Sequence, residues 1–359
     1  MTEIDSVIIL GAGASASEGA PVQKTLIKEF LQYATFKLIE KEGLTEAEKN
    51  QLDQINKYFN LFWGADLLSS FDNRYKYPSF EDCLGILDVA KNRNENFQLK
   101  DSEELNSFRN SLIFLIAKSI ENKLLNSKSN HHEILIDRLS QNESIKSTAF
   151  VSLNYDIIID NELTKIRDSQ DLDLDYGIEF MNFDRNHNLN EWMRPYPQKS
   201  VLLFKLHGSL NWLYCPTCNQ IEITPKEKGV MKVFTESKEC FDCGTPMKPI
   251  IVPPTYFKEM QNLYLQQIFQ KTDKVLRNSK EIFICGYSLP DADLHIKYLL
   301  KRAELLNRNK PKIFIINNHQ GKKDRKKEEK RFLQFFKFKG RVEYTELSFE
   351  DFCREGIPS

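Results

Sequence analysis

Five short apolar runs, each followed by glycine or polar residues, dominate the hydrophobic pattern of this 359-residue chain. Several of them lack polar alternation, which is typical of strands buried on both faces of a parallel sheet. The predicted strands are Ser6–Leu10, Thr148–Leu153, Val201–Leu206, Glu281–Cys285 and Lys312–Ile316. Because ligands bind outside the carboxyl ends of the strands in open α/β sheets, we expect the polar residues after these runs to converge on one crevice.

Apolar positions recur at helical spacing between the first and second predicted strands. The helical stretches are Val22–Lys41, Glu46–Trp63, Phe80–Lys91, Glu103–Leu125 and His131–Leu139. This separation is longer than a single crossover helix needs, so it predicts a helical subdomain inserted into the sheet fold. Residues 165–200 have a poor pattern and predict a loop with short elements. The charge run Gly321–Arg331 predicts a solvated loop or the start of a helix, with a partner-binding patch as the less favoured alternative. The expected fold is α/β, with a Rossmann-like parallel sheet, a helical insertion and a small zinc-binding module.

Composition and charge exclude several classes of protein. Apolar residues make up 41% and charged residues 28% of the chain, as in ordinary globular proteins. A net charge of −1 gives no global field that attracts an acidic membrane or nucleic acid, and it leaves local contact with nucleic acid open. The N-terminus has no basic segment or cleavage site of a secretory signal, and runs such as Leu112–Ala117 are too short to span a bilayer. We therefore expect a cytoplasmic protein with no membrane partner.

Four of the seven cysteines form two CxxC pairs, Cys215 with Cys218 and Cys240 with Cys243. This spacing suits a metal in a reducing compartment better than a disulfide framework. Four thiolates suit tetrahedral Zn²⁺, and a closed four-cysteine site leaves no position for a substrate. The sequence therefore predicts a structural zinc module over residues 212–250.

The segment Gly11-Ala-Gly-Ala-Ser15 follows the first predicted strand and precedes a helix. Glycine lets a backbone approach a pyrophosphate closely, and a helix N-terminus presents free amides to it. A tight strand-to-helix turn needs the same glycines, so both interpretations of this loop stay open.

Two further predicted strands are followed by side chains that can bind a ligand or transfer a proton. Asn154 offers an amide that can hold a sugar hydroxyl and a water together, and Asp156 can accept a hydrogen bond from a carboxamide. Both residue types also cap helices, and Ile157–Leu163 has a helical pattern, so the capping role stays open. His207 precedes Gly208 in a turn. A lone histidine is often structural, but no helix or strand face claims this ring and the ordinary pKa of histidine suits proton transfer near neutral pH, so the sequence favours a functional role.

The order of these motifs resembles the sirtuin family. The resemblance is carried by Gly-Ala-Gly-Ala-Ser, Asn-x-Asp, His-Gly-Ser, the paired CxxC, Gly-x-Ser-Leu and Ile-Asn, over residues 5–21 and about 148–318. Within the family, Lys205–Trp212 and Ser152–Asp156 look most like the bacterial sirtuin-like group associated with antiphage defence. Members of that group hydrolyse NAD and do not deacylate proteins.

The resemblance implies a role for each candidate residue. At the bond that breaks, Asn154 would hold the nicotinamide ribose and the attacking water, Asp156 would meet the carboxamide, and His207 would be the general base. The remaining NAD contacts would come from Gly11, Ala12, Gly13 and Ser15 at the phosphates, and from Gly286, Ser288 and Asn317 at the adenosine half.

Two segments depart from the pattern of sirtuin deacylases. Gly19-Ala-Pro21 is followed by Val22-Gln-Lys24, where deacylases have Asp-Phe-Arg. Ile250–Thr255 carries two adjacent prolines in place of the Phe-Gly-Glu segment that pairs with the acyl-lysine peptide, and proline cannot donate ladder hydrogen bonds. The prediction is therefore an NAD glycohydrolase that releases nicotinamide and ADP-ribose. The alternatives are an NAD-dependent lysine deacylase and a non-catalytic sensor of NAD or ADP-ribose.

The resemblance also implies a division of the chain and a need for control. Residues 1–21 and 146–320 would form the NAD-binding domain, 22–145 the helical insertion and 321–359 a C-terminal extension. Because depletion of NAD is toxic, we expect control by homo-oligomerisation or by a partner such as a HerA-like ATPase or an Argonaute-type protein. The helical insertion is the expected assembly surface.

Overall fold

The computed structural model describes residues 3–22, 26–27, 44–67, 78–97, 101–124, 129–179, 196–223, 238–252, 262–317 and 322–357. The chain forms two compact units, the first from residues 1–20, 127–209 and 260–359 and the second from residues 21–126 and 210–259.

The strands in the described residues are β1 (Ser6–Leu10), β2 (Thr148–Ser152), β3 (Asp173–Asp175), β4 (Ser200–Lys205), β5 (Gly208–Tyr214), β6 (Ile221–Ile223), β7 (Lys248–Ile251), β8 (Glu281–Cys285), β9 (Lys312–Ile316) and β10 (Val342–Tyr344). The α-helices are α1 (Ala12–Ala16), α2 (Glu46–Trp63), α3 (Phe80–Arg93), α4 (Ser102–Leu124), α5 (His131–Gln141), α6 (Ile158–Gln170), α7 (Leu263–Leu276), α8 (Leu294–Leu306), α9 (Lys322–Phe335) and α10 (Phe349–Glu355).

A seven-stranded sheet forms the core of the first unit, in the order β10-β9-β8-β1-β2-β4-β3. Every neighbouring pair in it is parallel, which confirms the predicted parallel α/β fold. Strand β1 lies at the centre, where Ile8 is in register with Phe150 of β2 and Phe283 of β8. Strands buried on both faces need apolar side chains in both directions, which explains the unbroken apolar runs.

All five predicted strands occur, and β1, β8 and β9 have the predicted bounds. The structure adds two short edge strands, β3 and β10. Strand β10 comes from residues 321–359, predicted as an extension, so that segment shares the sheet of the first unit. The charge run begins helix α9, as predicted for a helix start.

Helices of the first unit pack against one another beside the sheet. Helix α5 lies in the segment predicted as an insertion, yet it belongs to the first unit and contacts α6 and α10. Its Arg138 donates hydrogen bonds to the carbonyl oxygens of Phe352 and Cys353 at the end of α10. The carbonyl of Phe352 also accepts the N–H of Gly356, so Arg138 adds a second bond there, and it pairs the carbonyl of Cys353 near the helix end.

The second unit contains helices α2, α3 and α4, together with the three-stranded sheet β6-β5-β7 from Leu210 onward. Helix α2 has the predicted bounds. Its start is fixed by a capping box between Thr45 and Glu48, and it ends at Gly64 in the left-handed conformation. Of the predicted helix Val22–Lys41, the structure describes only Val22, which is not helical, and residues 26–27, which are helical; the rest lies outside the described residues. No helix in the described part of the chain combines the length and hydrophobicity that crossing a membrane requires.

Candidate functional site

The loops that follow β1 and β8 touch each other backbone to backbone. The N–H of Gly11 donates to the carbonyl oxygen of Cys285 at 2.8 Å, and the N–H of Gly13 donates to that of Gly286 at 2.8 Å. Gly286 has a φ of +66°, and a Cβ atom built there would lie 2.1 Å from the amide nitrogen of Ala14. Only glycine fits such a turn at this distance, so part of the glycine signal in the sequence comes from loop packing.

Asn154 joins the loop after β2 to the loop after β1. Its side-chain nitrogen Nδ2 donates to the carbonyl oxygen of Gly11 at 2.9 Å and to Oγ of Ser15 at 2.8 Å. The side chain is buried, and its oxygen Oδ1 makes no hydrogen bond with the described residues. The two donated bonds fix the amide, and they leave an oriented acceptor for a hydroxyl or a water.

Asp156 performs the local role that its position before a helix allows. Its Oδ1 accepts a hydrogen bond from the N–H of Ile158, the first residue of α6, at 3.2 Å. The side chain is buried. The geometry thus supports the helix-start interpretation, and the contact with a carboxamide stays a prediction.

A buried charged network, which sequence reasoning missed, holds α6 against β4. The side chain of Lys205 is fully buried, and its Nζ donates to Oδ2 of Asp160 at 2.9 Å and to the carbonyl oxygen of Asp156. The hydroxyl of Tyr176 donates to the other carboxylate oxygen of Asp160 at 2.6 Å. A lysine inside an otherwise apolar strand was the available signal, because such a charge must find a partner when it is buried. The network fixes the loop that carries Asn154.

His207 follows β4 and is 5% exposed. Its Nδ1 lies 3.0 Å from the carbonyl oxygen of Leu153, the residue before Asn154. A carbonyl can only accept a hydrogen bond, so Nδ1 carries the proton and Nε2 of the neutral ring carries the lone pair. This is the tautomer that a base acting through Nε2 needs.

The Nε2 atom of His207 faces a second histidine. It lies 2.9 Å from Nε2 of His295 in the first turn of α8, and the ring centroids are 5.0 Å apart. Sequence reasoning missed His295, although it closely follows the Gly286–Ser288 turn in the chain. The contact joins residues that are far apart in the chain, so no local pattern could reveal it.

Asp293 completes this group. Its Oδ2 accepts a hydrogen bond from the hydroxyl of Tyr287 at 3.1 Å. Burial, followed by the neighbouring Asp293 carboxylate, raises the pKa of Tyr287, so this hydroxyl stays protonated and donating. Donor atoms of His207, Asp293 and His295 all lie within 4.8 Å of one another.

Asn317, after β9, braces the turn that follows β8. Its Oδ1 accepts from the N–H of Tyr287 at 3.1 Å, and its Nδ2 donates to the carbonyl oxygen of Tyr287 at 3.0 Å and to Glu328 at 3.0 Å. The carbonyl oxygen of Ser288 accepts from Arg331 at 2.7 Å. Adenosine binding by Gly286, Ser288 and Asn317 stays a prediction, and the structure brings all three together on the sheet edge that also carries Gly11 and Asn154.

The four cysteines of the CxxC pairs gather in the second unit. The sulfur atoms of Cys215 and Cys243 are 3.4 Å apart, and those of Cys218 and Cys240 are 3.5 Å apart. A tetrahedral Zn²⁺ with Zn–S bonds of about 2.3 Å places its sulfur ligands about 3.8 Å apart. The residues present therefore fit a zinc ion, and the closed set of thiolates would supply structure, not chemistry.

The protonation of this cluster favours a bound cation. Burial tends to raise the pKa of Cys215, but backbone N–H groups of Cys218 and Thr217 lower it to about 6. A backbone hydrogen bond from Gln220 lowers the pKa of Cys218, yet desolvation and the neighbouring sulfurs raise it to about 12. The negative charge of one thiolate thus disfavours ionisation of the neighbouring thiol, and a bound divalent cation would offset this repulsion.

A family model for the SIR2-like domain matches residues 148–336. Among solved structures, Sir2Tm bound to a propionylated peptide is 15% identical, with 98% of this chain and 90% of that chain covered and a TM-score of 0.43. A Sir2 complex with a p53 peptide and NAD⁺ is 16% identical, with the same coverage and a TM-score of 0.43. Sir2 bound to an acetylated peptide is 15% identical, with the same coverage and a TM-score of 0.42. Likeness at this level carries no argument about activity. No curated protein matches the sequence.

Proposed function

We propose that this chain, which belongs to the family of SIR2-like domain proteins, binds NAD at the carboxyl edge of its parallel sheet and hydrolyses the nicotinamide–ribose bond. The observation that carries the proposal is the meeting of three loops in the first unit. The glycine loop after β1, the amide of Asn154 after β2 and the imidazole of His207 after β4 are linked through Gly11, Ser15 and Leu153. Open α/β sheets bind nucleotides at this edge.

The chain's own residues supply positioning and proton transfer. Oδ1 of Asn154 accepts a hydrogen bond from the ribose hydroxyl or from the attacking water. The C–N bond breaks as nicotinamide leaves with the electron pair, so the cationic ring departs neutral and needs no acid. Water forms the new C–O bond at the anomeric carbon and gives its proton to Nε2 of His207. Such base catalysis contributes about 10²–10⁴-fold to the rate.

The pair of histidines adds a condition to this mechanism. Nε2 of His207 faces His295 at 2.9 Å, so it can accept the proton only when His295 gives up that contact. Substrate binding must therefore turn His295 aside. The Leu153 carbonyl keeps the proton on Nδ1 throughout, which preserves the basic form of Nε2.

The decisive experiment incubates the purified full chain with NAD, with and without an acetyl-lysine peptide, and quantifies nicotinamide and ADP-ribose. We expect ADP-ribose without peptide, and at least a ~10²-fold loss of rate in His207→Ala. Asn154→Ala should also lose most of the activity, and Asn278→Ala, at an exposed asparagine, is the matched control. Nicotinamide released only with the acylated peptide would replace the proposal by deacylation. NAD binding without turnover would replace it by a sensor.

We extend the proposal to biological role and control. The resemblance of Lys205–Trp212 and Ser152–Asp156 supports a role in antiphage defence through NAD depletion. An enzyme of this kind requires an off state, which we assign to assembly with further copies or with a HerA-like ATPase or Argonaute-type partner. Bacteria that carry the wild-type chain should lose NAD on phage infection, whereas those that carry His207→Ala should keep it. Equal NAD levels in the two strains during infection would refute the defence role.

A further inference from the structure

Three donor atoms from two parts of the first unit surround one point beside the glycine loop. His207 comes from the turn after β4, whereas Asp293 and His295 flank the first residue of α8. The two Nε2 atoms are 2.9 Å apart, and the nitrogen and carboxylate donors all lie within 4.8 Å of one another. Asp293 is 7% exposed and His207 is 5% exposed, so two of the three donors are removed from bulk water.

These distances match those between ligands of one metal ion. Two nitrogen atoms bound at about 2.1 Å to the same ion, at right angles, lie about 3.0 Å apart. A carboxylate oxygen on a third position completes a set of two imidazoles and one carboxylate on one side of the ion, which leaves other positions for water. The distance between the two Nε2 atoms matches this geometry, and the carboxylate donor lies within 4.8 Å of both.

The donors are also held as metal ligands are held. A histidine ligand usually donates its other ring N–H to a carbonyl or carboxylate, and ligating carboxylates accept hydrogen bonds in turn. His207 donates from Nδ1 to the carbonyl oxygen of Leu153 at 3.0 Å, which directs the Nε2 lone pair at the cluster. Asp293 accepts from the hydroxyl of Tyr287 at 3.1 Å. Two of the three donors thus have a fixed outer contact.

We propose that His207, Asp293 and His295 bind a divalent transition-metal ion of the borderline class, such as Zn²⁺, Co²⁺ or Ni²⁺. Imidazole with carboxylate suits these ions, whereas the four thiolates in the second unit select zinc. When the ion binds, the proton on Nε2 of His295 moves to Nδ1 of that ring or to solvent, since both Nε2 lone pairs are needed for coordination.

The ion has a consequence for catalysis, which rests on the proposed function. The bound ion occupies the Nε2 lone pair of His207, which would otherwise accept the proton. The ion also holds His295 beside His207, although substrate binding must move His295 away. The metal-bound chain is therefore the inactive form, and NAD hydrolysis requires release of the ion. This adds a second off state to the control by assembly, one that lies in the catalytic unit itself and needs no partner.

Cobalt uptake by the full chain tests the site without reference to activity. The chain is first loaded with one equivalent of Zn²⁺ for the cysteines, then titrated with Co²⁺, and metal content is measured after equilibrium dialysis. We expect one further equivalent of cobalt, with weak visible absorption and without the intense band of a cobalt thiolate. His295→Ala should abolish this uptake. Leu294→Ala, at the exposed neighbouring position on α8, should leave it unchanged.

A second variant keeps the proposal open to refutation if His295→Ala folds poorly. Tyr287→Phe removes only the outer contact to Asp293, and it should weaken cobalt binding by about 10–100-fold. The site is refuted if the zinc-loaded wild type binds no further equivalent of cobalt. It is also refuted if the wild type, His295→Ala and Tyr287→Phe bind cobalt with equal affinity. If cobalt binds but the zinc-loaded chain without cobalt does not hydrolyse NAD, the proposed function is wrong and the metal site is still supported. If cobalt binds and does not slow hydrolysis, the inhibitory consequence alone is wrong.

Discussion

Replacing Gly286 with alanine should destabilise the first unit by about 2–5 kcal/mol. The residue has a φ of +66°, and an added Cβ would lie 2.1 Å from the nitrogen of Ala14 and 2.5 Å from the carbonyl carbon of Gly13. The left-handed backbone alone costs a residue with a side chain about 1–2 kcal/mol. Because the neighbouring atoms belong to the backbone, the clash forces two loops apart and adds a cost typical of overpacking, about 1–3 kcal/mol.

Urea unfolding followed by far-ultraviolet circular dichroism measures this cost, with linear extrapolation to water. Gly64→Ala is the matched control, because Gly64 has nearly the same φ, +64°, and among the described residues no atom beyond its chain neighbours lies within 4 Å of the added Cβ. The control should lose only the conformational cost of about 1–2 kcal/mol. If the two variants lose equal stability, the two loops do not touch as described. Gly286→Ala should also reduce NAD hydrolysis, since it displaces the glycine loop.

Three further predictions concern buried groups. Burial raises the pKa of Glu18, but hydrogen bonds from His132 outweigh burial and hold this pKa below its ordinary value of 4.5. The ionised Glu18 therefore stabilises the fold above pH 4.5, and this stabilisation is lost as the pH falls through the lower folded-state pKa. The gap in unfolding free energy between wild type and Glu18→Gln should therefore shrink on acidification below pH 4.5, and a constant gap would contradict the shift. Lys205→Met should cost about 3–5 kcal/mol in urea unfolding, because the buried Asp160 carboxylate keeps its hydrogen bond from Tyr176 but loses its counter-charge. Lys165→Met, at an exposed lysine, should stay within about 0.5 kcal/mol, and equal losses would refute the network. We expect the wild type to hold one zinc ion in elemental analysis, and Cys240→Ser should lose it and expose the second unit to proteolysis. Equal zinc content in the two proteins would refute the four-cysteine site.

The main sheet could be predicted from the sequence because strands buried on both faces are unbroken apolar runs. Most of the helices could be predicted because their apolar positions recur at helical spacing. Strands β3 and β10 could not be predicted, because each has three residues and offers too few positions for a pattern. Asp173–Asp175 has a single apolar residue, and its pairing with β4 is decided by the neighbouring strand. Short edge strands of this kind form because they pair with a neighbouring strand, and the local sequence does not predict that pairing.

The candidate site shows the same division. Residues that directly follow a strand, such as Asn154 and His207, could be predicted because topology alone brings strand ends together. His295 lies in the first turn of a helix, 88 residues beyond His207, and its relevance comes only from the contact between the two rings. Lys205 was hidden for a different reason, since burial of a charge depends on a partner that the local sequence does not reveal.

The central position of β1 has a consequence for biosynthesis. Strand β1 is synthesised before its partner β8, because Ser6 and Glu281, which lie in register, are 275 residues apart in the chain. At ordinary elongation rates that delay is roughly 14–55 s. During this time β1 can pair with β2 but not with β8, and long-range parallel pairing folds slowly. The contact between the loops after β1 and β8, which supports the proposed NAD site, therefore forms only after β8 has been synthesised, and a chain that ends before β8 lacks that contact.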